Sequence, residues 1–444
     1  MKILLAVHQF FPEFRAGTET LVLRTAQELR RRGHQVTVLC GGTVDPSLPR
    51  LSRYVFDGLP VFRCNPLPPP SPMVGALAKS YDREELLDLH CQVLEHVEPD
   101  LLHVFHLRRL TLSLLDAASR GGVPVVASLT DYWMGCTTGQ LQFPEDHPCA
   151  GPGFDSAICL QHLSSRVIRP AGWLPLWFWR LVQQWASLLA VFPGPWRSLV
   201  ALAQRPKRMR EAYGRFAKVL VPSELMLSTF VGLGFPAGHT AVCPYGIDVA
   251  GLDAQPPRQS WPRPNQRALE VGFIGSFNHA KGAHILLQAL ARLPANVPVA
   301  VSLYGSVVEN PAYGMSLQRE VSCLPRARLA GVFEADAIFA VLARLDVLVV
   351  PSLWRENAPL VLLQAMASGL PVLVSDVAGM ADQIQPGLDG LLFPPGDSVA
   401  LAEQLEEFCR NPASLAGLIH RSRRTRTIQD YVDDLEVHYR GVSG

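Results

Sequence analysis

Two short stretches in the second half of the chain hold the residues best suited to chemistry. Residues 346–369, DVLVVPSLWRENAPLVLLQAMASG, begin with an unbroken apolar run at 347–350, rich in β-branched valine, as expected of a strand covered on both faces. The run passes through Trp354-Arg355-Glu356-Asn357-Ala358 into a helix for which Pro359 suits the first position and Gly369 the left-handed position past the end. A carboxylate and several uncommitted backbone N–H groups thus meet at the carboxyl end of a strand. Open α/β sheets bind ligands there, and a helix N-terminus favours an anion such as a diphosphate. In residues 275–282, GSFNHAKG, a glycine-bearing turn ends in Lys281 beside a helix expected over 283–292, a reasonable cradle for phosphate. A cation about 4 Å from one phosphate charge contributes on the order of 4 kcal/mol at an effective dielectric of 20, before desolvation. The G-x-x-x-x-G-K-[ST] pattern is missing, so a P-loop is excluded. An ordinary strand-loop-helix and a solvated lysine would read the same way, and the choice depends on the rest of the chain.

The first half offers further candidates. His103 and His106 close one expected strand (101–105), and Thr130-Asp131-Tyr132-Trp133 closes another (123–129), which puts both groups on one edge of a parallel sheet. Gly17, at the start of a helix over 17–32, can let backbone approach a phosphate or can simply begin the helix. The first loop has no G-x-G-x-x-G, which weighs against a nicotinamide or flavin site. Cys136, Cys149, Cys159 and His162 occur in one irregular stretch. They could form a closed structural zinc site, but the long gaps fit loose thiols better.

The elements that must carry these residues alternate strand and helix throughout. Strands at 2–8, 35–40, 101–105, 123–129, 218–221 and 240–243, with helices at 17–32, 83–97, 109–120 and 223–233, describe one doubly wound domain. Strands at 269–274, 299–304, 327–330, 346–350, 371–375 and 390–393 describe a second, followed by helices over 398–410 and 414–438. The Pro-rich residues 65–72 read as a surface loop, and Pro256-Pro257 with Trp261-Pro262-Arg263-Pro264 as an interdomain linker. The expectation is an α/β protein: residues 1–248 with an aromatic-rich helical insertion near 134–215, a linker at 249–266, and a second parallel-sheet domain at 267–415.

With 444 residues, 48% hydrophobic, 18% charged and a formal net charge of +1, the chain has the composition of a soluble globular protein, and nucleic acid is not its expected partner. The balance conceals an asymmetry. Residues 1–222 carry 24 Lys and Arg against 18 Asp and Glu, and the remainder 16 against 21, so the first half is the better suited to an anionic surface. Nine scattered cysteines fit a reducing cytoplasm, and the apolar start is too short for a signal-peptide core. Residues 171–200 gather Trp173, Trp177, Phe178, Trp179, Trp185, Phe192 and Trp196. Arg180, Gln183 and Gln184 in the middle disfavour a membrane span, since an Arg at the bilayer centre costs about 2.5 to 3.5 kcal/mol. Two readings stay open: an internal helix of the insertion, or an interfacial segment whose neighbouring cations, 205–210, favour an anionic leaflet.

Taken in order, Gly17-Thr18-Glu19, Arg32-Gly33-His34-Gln35-Val36, residues 100–103, Thr130-Asp131-Tyr132-Trp133, Pro222-Ser223, residues 244–248, 275–282 and 351–369 resemble the family-4 group of retaining, nucleotide-sugar-dependent glycosyltransferases, whose architecture is the glycosyltransferase-B fold. The resemblance implies two Rossmann-like domains facing a cleft, with the last helix, 416–444, returning to the first domain. It implies that Lys281, Gly275, Ser276 and the N–H groups near Pro359 and Leu360 hold a donor diphosphate. Glu356 would accept bonds from sugar hydroxyls, Asn357 and Ala358 would lie against the sugar, and Gly17 would approach the phosphates. Asp131 and Thr130 fall at the family's catalytic positions. No cofactor or metal is implied; the partners are a nucleotide sugar and a glycan or lipid-linked acceptor, in the cytoplasm or on the inner face of the membrane. Three positions depart from the pattern: Gln364 stands where a ribose-binding glutamate is usual, Ser276 where the lysine's arginine partner is usual, and Thr130 where a histidine is usual. These departures keep a second class in play, a catalytically weakened relative that binds a glycan or a partner, and a nucleotide-sugar epimerase ranks third.

Overall fold

A computed structural model describes residues 1–45, 47–66, 80–143, 148–153, 156–167, 174–189, 196–259, 261–263, 268–308, 310–419 and 425–443. Most of the 65–72 loop, Trp173, Phe192 and Pro264 lie outside them. The chain divides into two compact units, one of residues 1–244 with 429–444 and the other of residues 245–428.

The first unit is built on eight strands: β1 (Lys2–Val7), β2 (Gln35–Gly41), β3 (Leu51–Phe56), β4 (Leu59–Cys64), β5 (Leu101–Val104), β6 (Val125–Ser128), β7 (Lys218–Val221) and β8 (Thr240–Val242). Their order is β3-β4-β2-β1-β5-β6-β7-β8, parallel throughout except for the β3–β4 pair. The central strands are apolar without alternation because helices cover both faces; Ile3 to Val7 are fully buried. The β3–β4 hairpin is an addition to the expected strands. Its turn, Asp57-Gly58, has φ of 50° and 71°, the two positive values that a tight hairpin with right-handed strand twist demands. The helix expected from 109 begins only at Ser113, because Arg109 and Thr111 adopt φ of 70° and 63°.

From Gln429 onward the C-terminal helix, Ile428–Ser443, belongs to the first unit. Its Tyr439 hydroxyl lies 2.6 Å from His103 Nδ1, its Tyr431 hydroxyl lies 3.1 Å from Ser128 Oγ, and that oxygen is 2.9 Å from His103 Nε2. Arg32 and His34 pair with Glu436 at the same helix, at 3.2 and 2.8 Å. The expected 414–438 helix is two helices, Pro412–Ala416 and Ile428–Ser443.

The second unit holds β9 (Leu269–Ile274), β10 (Val299–Tyr304), β11 (Ala327–Gly331), β12 (Val347–Val350), β13 (Val372–Ser375) and β14 (Gly390–Phe393) in the order β11-β10-β9-β12-β13-β14, all parallel. The Pro-rich 249–263 stretch is packed onto this unit. Arg258 donates to the carbonyls of Leu342 (3.0 Å) and Leu345 (2.6 Å), Arg263 pairs with Asp346, and Trp261 is buried in the unit's core.

Candidate active site

Because every strand of the second unit runs the same way, the loops after β9, β12 and β13 share one edge. Lys281 ends a short turn after β9, and Asn278 caps it by accepting the Lys281 N–H at 3.0 Å. Glu356 lies in the loop after β12 and is 5% exposed. Its Oε1 accepts from Lys281 Nζ at 2.6 Å, Ser352 Oγ at 2.7 Å and Trp354 Nε1 at 2.7 Å, and the ammonium also lies 5.3 Å from the centre of the Trp354 ring. Two glycines admit this closeness. A Cβ on Gly282 (φ 73°) would fall 1.8 Å from the Pro351 carbonyl oxygen, and one on Gly379 (φ 87°) 1.7 Å from that of Glu356. No side chain fits at either place.

Asn357 and Ala358 follow, and the helix Leu360–Ala367 begins one residue later than expected, with Pro359 as its N-cap. The first N–H groups of any helix lack intrahelical acceptors, so those at Leu360 and Val361 point out of its start. Gly369, φ 69°, sits past its end. Gln364 is half-buried on this helix; Gly275 and Ser276 are half-buried at the end of β9. The second unit therefore brings the Lys281 ammonium, the buried Glu356 carboxylate and a helix N-terminus to a single sheet edge.

The first unit gathers a different set at the carboxyl ends of β1, β5 and β6. The Arg108 N–H donates to His106 Nδ1 at 3.0 Å, so a neutral ring carries its proton on Nε2 and donates it to Asp131 Oδ2, also 3.0 Å away. Asp131 Oδ1 accepts the Trp133 N–H at 2.8 Å. Burial opposes ionisation of Asp131, but His106, the Trp133 N–H and Arg108 outweigh it and hold the carboxyl below its usual range. His8 packs on His106 with ring centres 4.5 Å apart and reaches Glu19 at 3.4 Å. Burial, then His106, Arg109 and Arg108, press its pKa well below that of a free histidine. Thr130 donates to the Phe105 carbonyl at 3.4 Å. Gly17 opens the first helix, exposed, with no atom within 4 Å of where a Cβ would stand.

The comparisons with known proteins can be set beside this geometry. The model of "Glycosyltransferase Family 4" matches residues 15–147 and that of "Glycosyl transferases group 1" matches residues 268–411, so Gly17, His106, Asp131, Lys281 and Glu356 fall within matched regions, while β1 and His8 precede the first. The chain belongs to the family-4 glycosyltransferases. A GDP-mannose-dependent alpha-mannosyltransferase of Mycolicibacterium smegmatis is 26% identical over 462 aligned residues, covering 100% of this chain and 98% of the relative. Among solved structures, Anabaena HepE in complex with UDP and glucose is 18% identical, covers 99% of both chains and has a TM-score of 0.65. The sucrose-phosphate synthase of Thermosynechococcus elongatus is 18% identical, covers 99% of this chain and 98% of its own, and has a TM-score of 0.62. These two show the fold, glycosyltransferase-B, with two parallel-sheet α/β domains.

Within the transferase, Lys281 and Glu356 are brought together, as are His106 and Asp131. His103 is not part of either group: it is fully buried and spends both ring nitrogens on Ser128 and Tyr439. Among the described residues no three His, Cys, Asp or Glu side chains come together to hold a metal. Cys136 contacts Thr138, Cys149 accepts from the Gly151 N–H, and His162 packs against Phe143. Sequence reasoning passed over Ser352 and the indole N–H of Trp354 as partners of Glu356, and Gly379, whose signal is a glycine in the loop after a strand. It also passed over His8, and it set Arg205 among the cations facing an anionic leaflet, whereas that guanidinium is buried, donates to the Trp133 carbonyl and lies 5.2 Å from the Trp133 ring centre. Burial lowers the Arg205 pKa to about 10.

Proposed function

We propose that this glycosyltransferase moves a hexose from a nucleoside diphosphate to a hydroxyl of a glycan or lipid-linked acceptor, in the synthesis of a cell-surface polysaccharide or glycolipid, with retention at the anomeric carbon. The observation that carries the proposal is the contact of Lys281 with Glu356 beside the Leu360–Ala367 helix start. In the reaction the bond from the anomeric carbon to the diphosphate oxygen breaks, and its electron pair leaves with the diphosphate. Lys281 and the N–H groups at Leu360 and Val361 stabilise that growing charge, which is the role a divalent cation would otherwise fill. Glu356, fixed by Ser352 and Trp354, accepts from sugar hydroxyls; Asn357 and Ala358 line the sugar, and Gly275, Ser276 and Gln364 complete the donor site. Asp131, held ionised, accepts from the incoming hydroxyl, with Thr130 beside it. Gly17 leaves backbone open to a phosphate. Relatives named for GDP-mannose and solved with UDP and glucose support a nucleoside diphosphate hexose as the donor class. Nine free cysteines support a reducing, cytoplasmic setting, at the inner face of the membrane.

Gln364, Ser276 and Thr130 favour a second reading, a weakened relative that retains donor or glycan binding. Hydrolysis of a panel of nucleotide sugars, followed by released nucleoside diphosphate, separates the two. The transferase reading predicts turnover of one donor above the rest and its loss in Glu356→Ala; no turnover of any donor, with or without glycan acceptors, favours the second.

A further inference from the structure

The helix Leu176–Leu189 of the first unit carries more apolar surface than the unit buries. Trp179, Gln183 and Ala186 turn inward, Trp179 into a small core with Cys159, Leu160 and Leu202. Trp177, Leu181, Trp185 and Leu188 recur at intervals of four, four and three along the other side, and are 61%, 44%, 63% and 68% exposed. That spacing aligns them in one stripe. Scattered exposed leucines are ordinary, whereas a contiguous stripe containing two tryptophans marks a surface that something covers.

The charge around it indicates what. From residue 156 to 210 the sequence has eight Lys and Arg and no Asp or Glu. Arg180 is exposed on the same helix; Lys207, on the helix Trp196–Tyr213 that packs against it, is 80% exposed and stands 3.9 Å from Glu211, one turn on. At 1.5 Å per residue the Leu176–Leu189 helix is about 21 Å long, short of the ~30 Å hydrocarbon core. Among the described residues no helix is long and apolar enough to cross a membrane. An amphipathic helix with tryptophans on its apolar side, in a stretch with a clear excess of cations, has the composition of one lying flat at headgroup depth in an anionic leaflet. The seat is joined to the chemistry: Arg205 of the neighbouring helix holds the Trp133 carbonyl, and the Trp133 N–H holds Asp131.

We propose that the stripe Trp177, Leu181, Trp185 and Leu188, with Arg180 on the same helix and a cation-rich stretch around it, is the docking surface by which this transferase seats on an anionic lipid bilayer. The biological use of the seat rests on the lipid-linked acceptor reading. The occupant is the bilayer itself, with apolar side chains entering the headgroup boundary and cations meeting lipid phosphates.

Flotation of the full chain with phosphatidylcholine vesicles, and with vesicles also containing phosphatidylglycerol, tests it. The expected result is capture by the phosphatidylglycerol vesicles only, reduced about tenfold or more in a Trp177→Ser, Trp185→Ser double variant and by high salt. Tryptophan fluorescence of the unaltered chain should be quenched by brominated lipid, a readout that needs no variant to fold. Binding of UDP or GDP is measured on the same samples and should be equal in wild type and double variant. Nucleotide binding without vesicle capture overturns the docking proposal and leaves the transferase reading intact; vesicle capture without nucleotide binding does the reverse. Capture unaffected by the double variant, no quenching, or a concentration-dependent dimer that hides the stripe without vesicle binding each overturns it.

Discussion

Lys281 and Glu356, separated by 75 positions, meet at 2.6 Å on the carboxyl edge of the second unit's sheet. Three donors converge on a single carboxylate oxygen, Lys281 Nζ, Ser352 Oγ and Trp354 Nε1, so the carboxylate is oriented before any substrate arrives. Across that contact the two opposite charges offset each other. In the proposed function a donor sugar diphosphate would replace that contact with two, phosphate on lysine and hydroxyls on glutamate.

Glu356→Gln keeps an oxygen for Ser352 and Trp354 but loses the charge. The expected outcome is a fall in kcat/KM of about tenfold to hundredfold, or roughly 1.4 to 2.8 kcal/mol, with the fold retained. Steady-state kinetics with the best donor, beside circular dichroism, checks it; unchanged kinetics would remove Glu356 from the site.

Gly17 and Gly379 separate function from packing. Gly379 has φ of 87° and no room for a Cβ, so Gly379→Ala should lower stability by more than about 1 kcal/mol and activity with it. Gly17 has open space and no positive φ, so Gly17→Ala should leave the denaturation midpoint unchanged. The proposed role of Gly17 predicts that turnover should nonetheless drop, because an added methyl would hinder a phosphate from approaching its backbone. A Gly17→Ala enzyme of full activity would cancel that role.

The nucleotide side of the site is legible as a departure. In the proposed donor site Gln364 would offer ribose a neutral hydrogen bond where a carboxylate's would be about twice as strong. Gln364→Glu is therefore expected to tighten nucleoside diphosphate binding by about 1 kcal/mol, roughly fivefold, read by calorimetry. Weaker binding would mean that Gln364 does not face the ribose.

Stability should fall on mild acidification. Burial depresses the pKa of His103 to about 3 and that of His90 to about 4, against 6.5 when unfolded. Below 6.5 the unfolded chain binds the extra protons, so the stability present above that pH is lost as pH falls toward the folded values, at up to about 1.4 kcal/mol per pH unit for each histidine. Glu28, held at about 2 first by Arg31 and then by Arg32 against its own burial, contributes to acid loss only below its ordinary 4.5. Urea midpoints measured between about pH 7 and pH 5 should decline, and should decline less steeply in His103→Gln, where His90 still contributes; an unchanged slope in that variant would contradict the buried network of His103 with Ser128 and Tyr439.

Which features the sequence disclosed follows from the range over which each is determined. Runs such as 347–350 and 3–7 read as parallel strands because burial on both faces leaves a local apolar signature. Lys281 and Glu356 were readable because each sits at a fixed place between a strand and a helix. The β3–β4 hairpin was passed over although Asp57-Gly58 announces its turn, since Ser52 and Arg53 dilute the strand pattern. No local signal tells that Arg109 and Thr111 turn left-handed and delay a helix to Ser113, or that His8 stacks on His106. Contacts such as Arg205 to Trp133 depend on how distant segments fold together. The cysteines show the converse: Cys159 and His162 have ligand-like spacing, yet no metal-holding trio assembles among the described residues.

The most direct test of the central claim is calorimetric titration of UDP and GDP into the wild-type chain and into Lys281→Ala. The account predicts that at least one nucleotide binds the wild type and binds Lys281→Ala about tenfold to hundredfold more weakly, the loss of one charge-assisted bond to the diphosphate. Equal affinity in the two proteins, or no heat from either nucleotide at millimolar concentration, would contradict it.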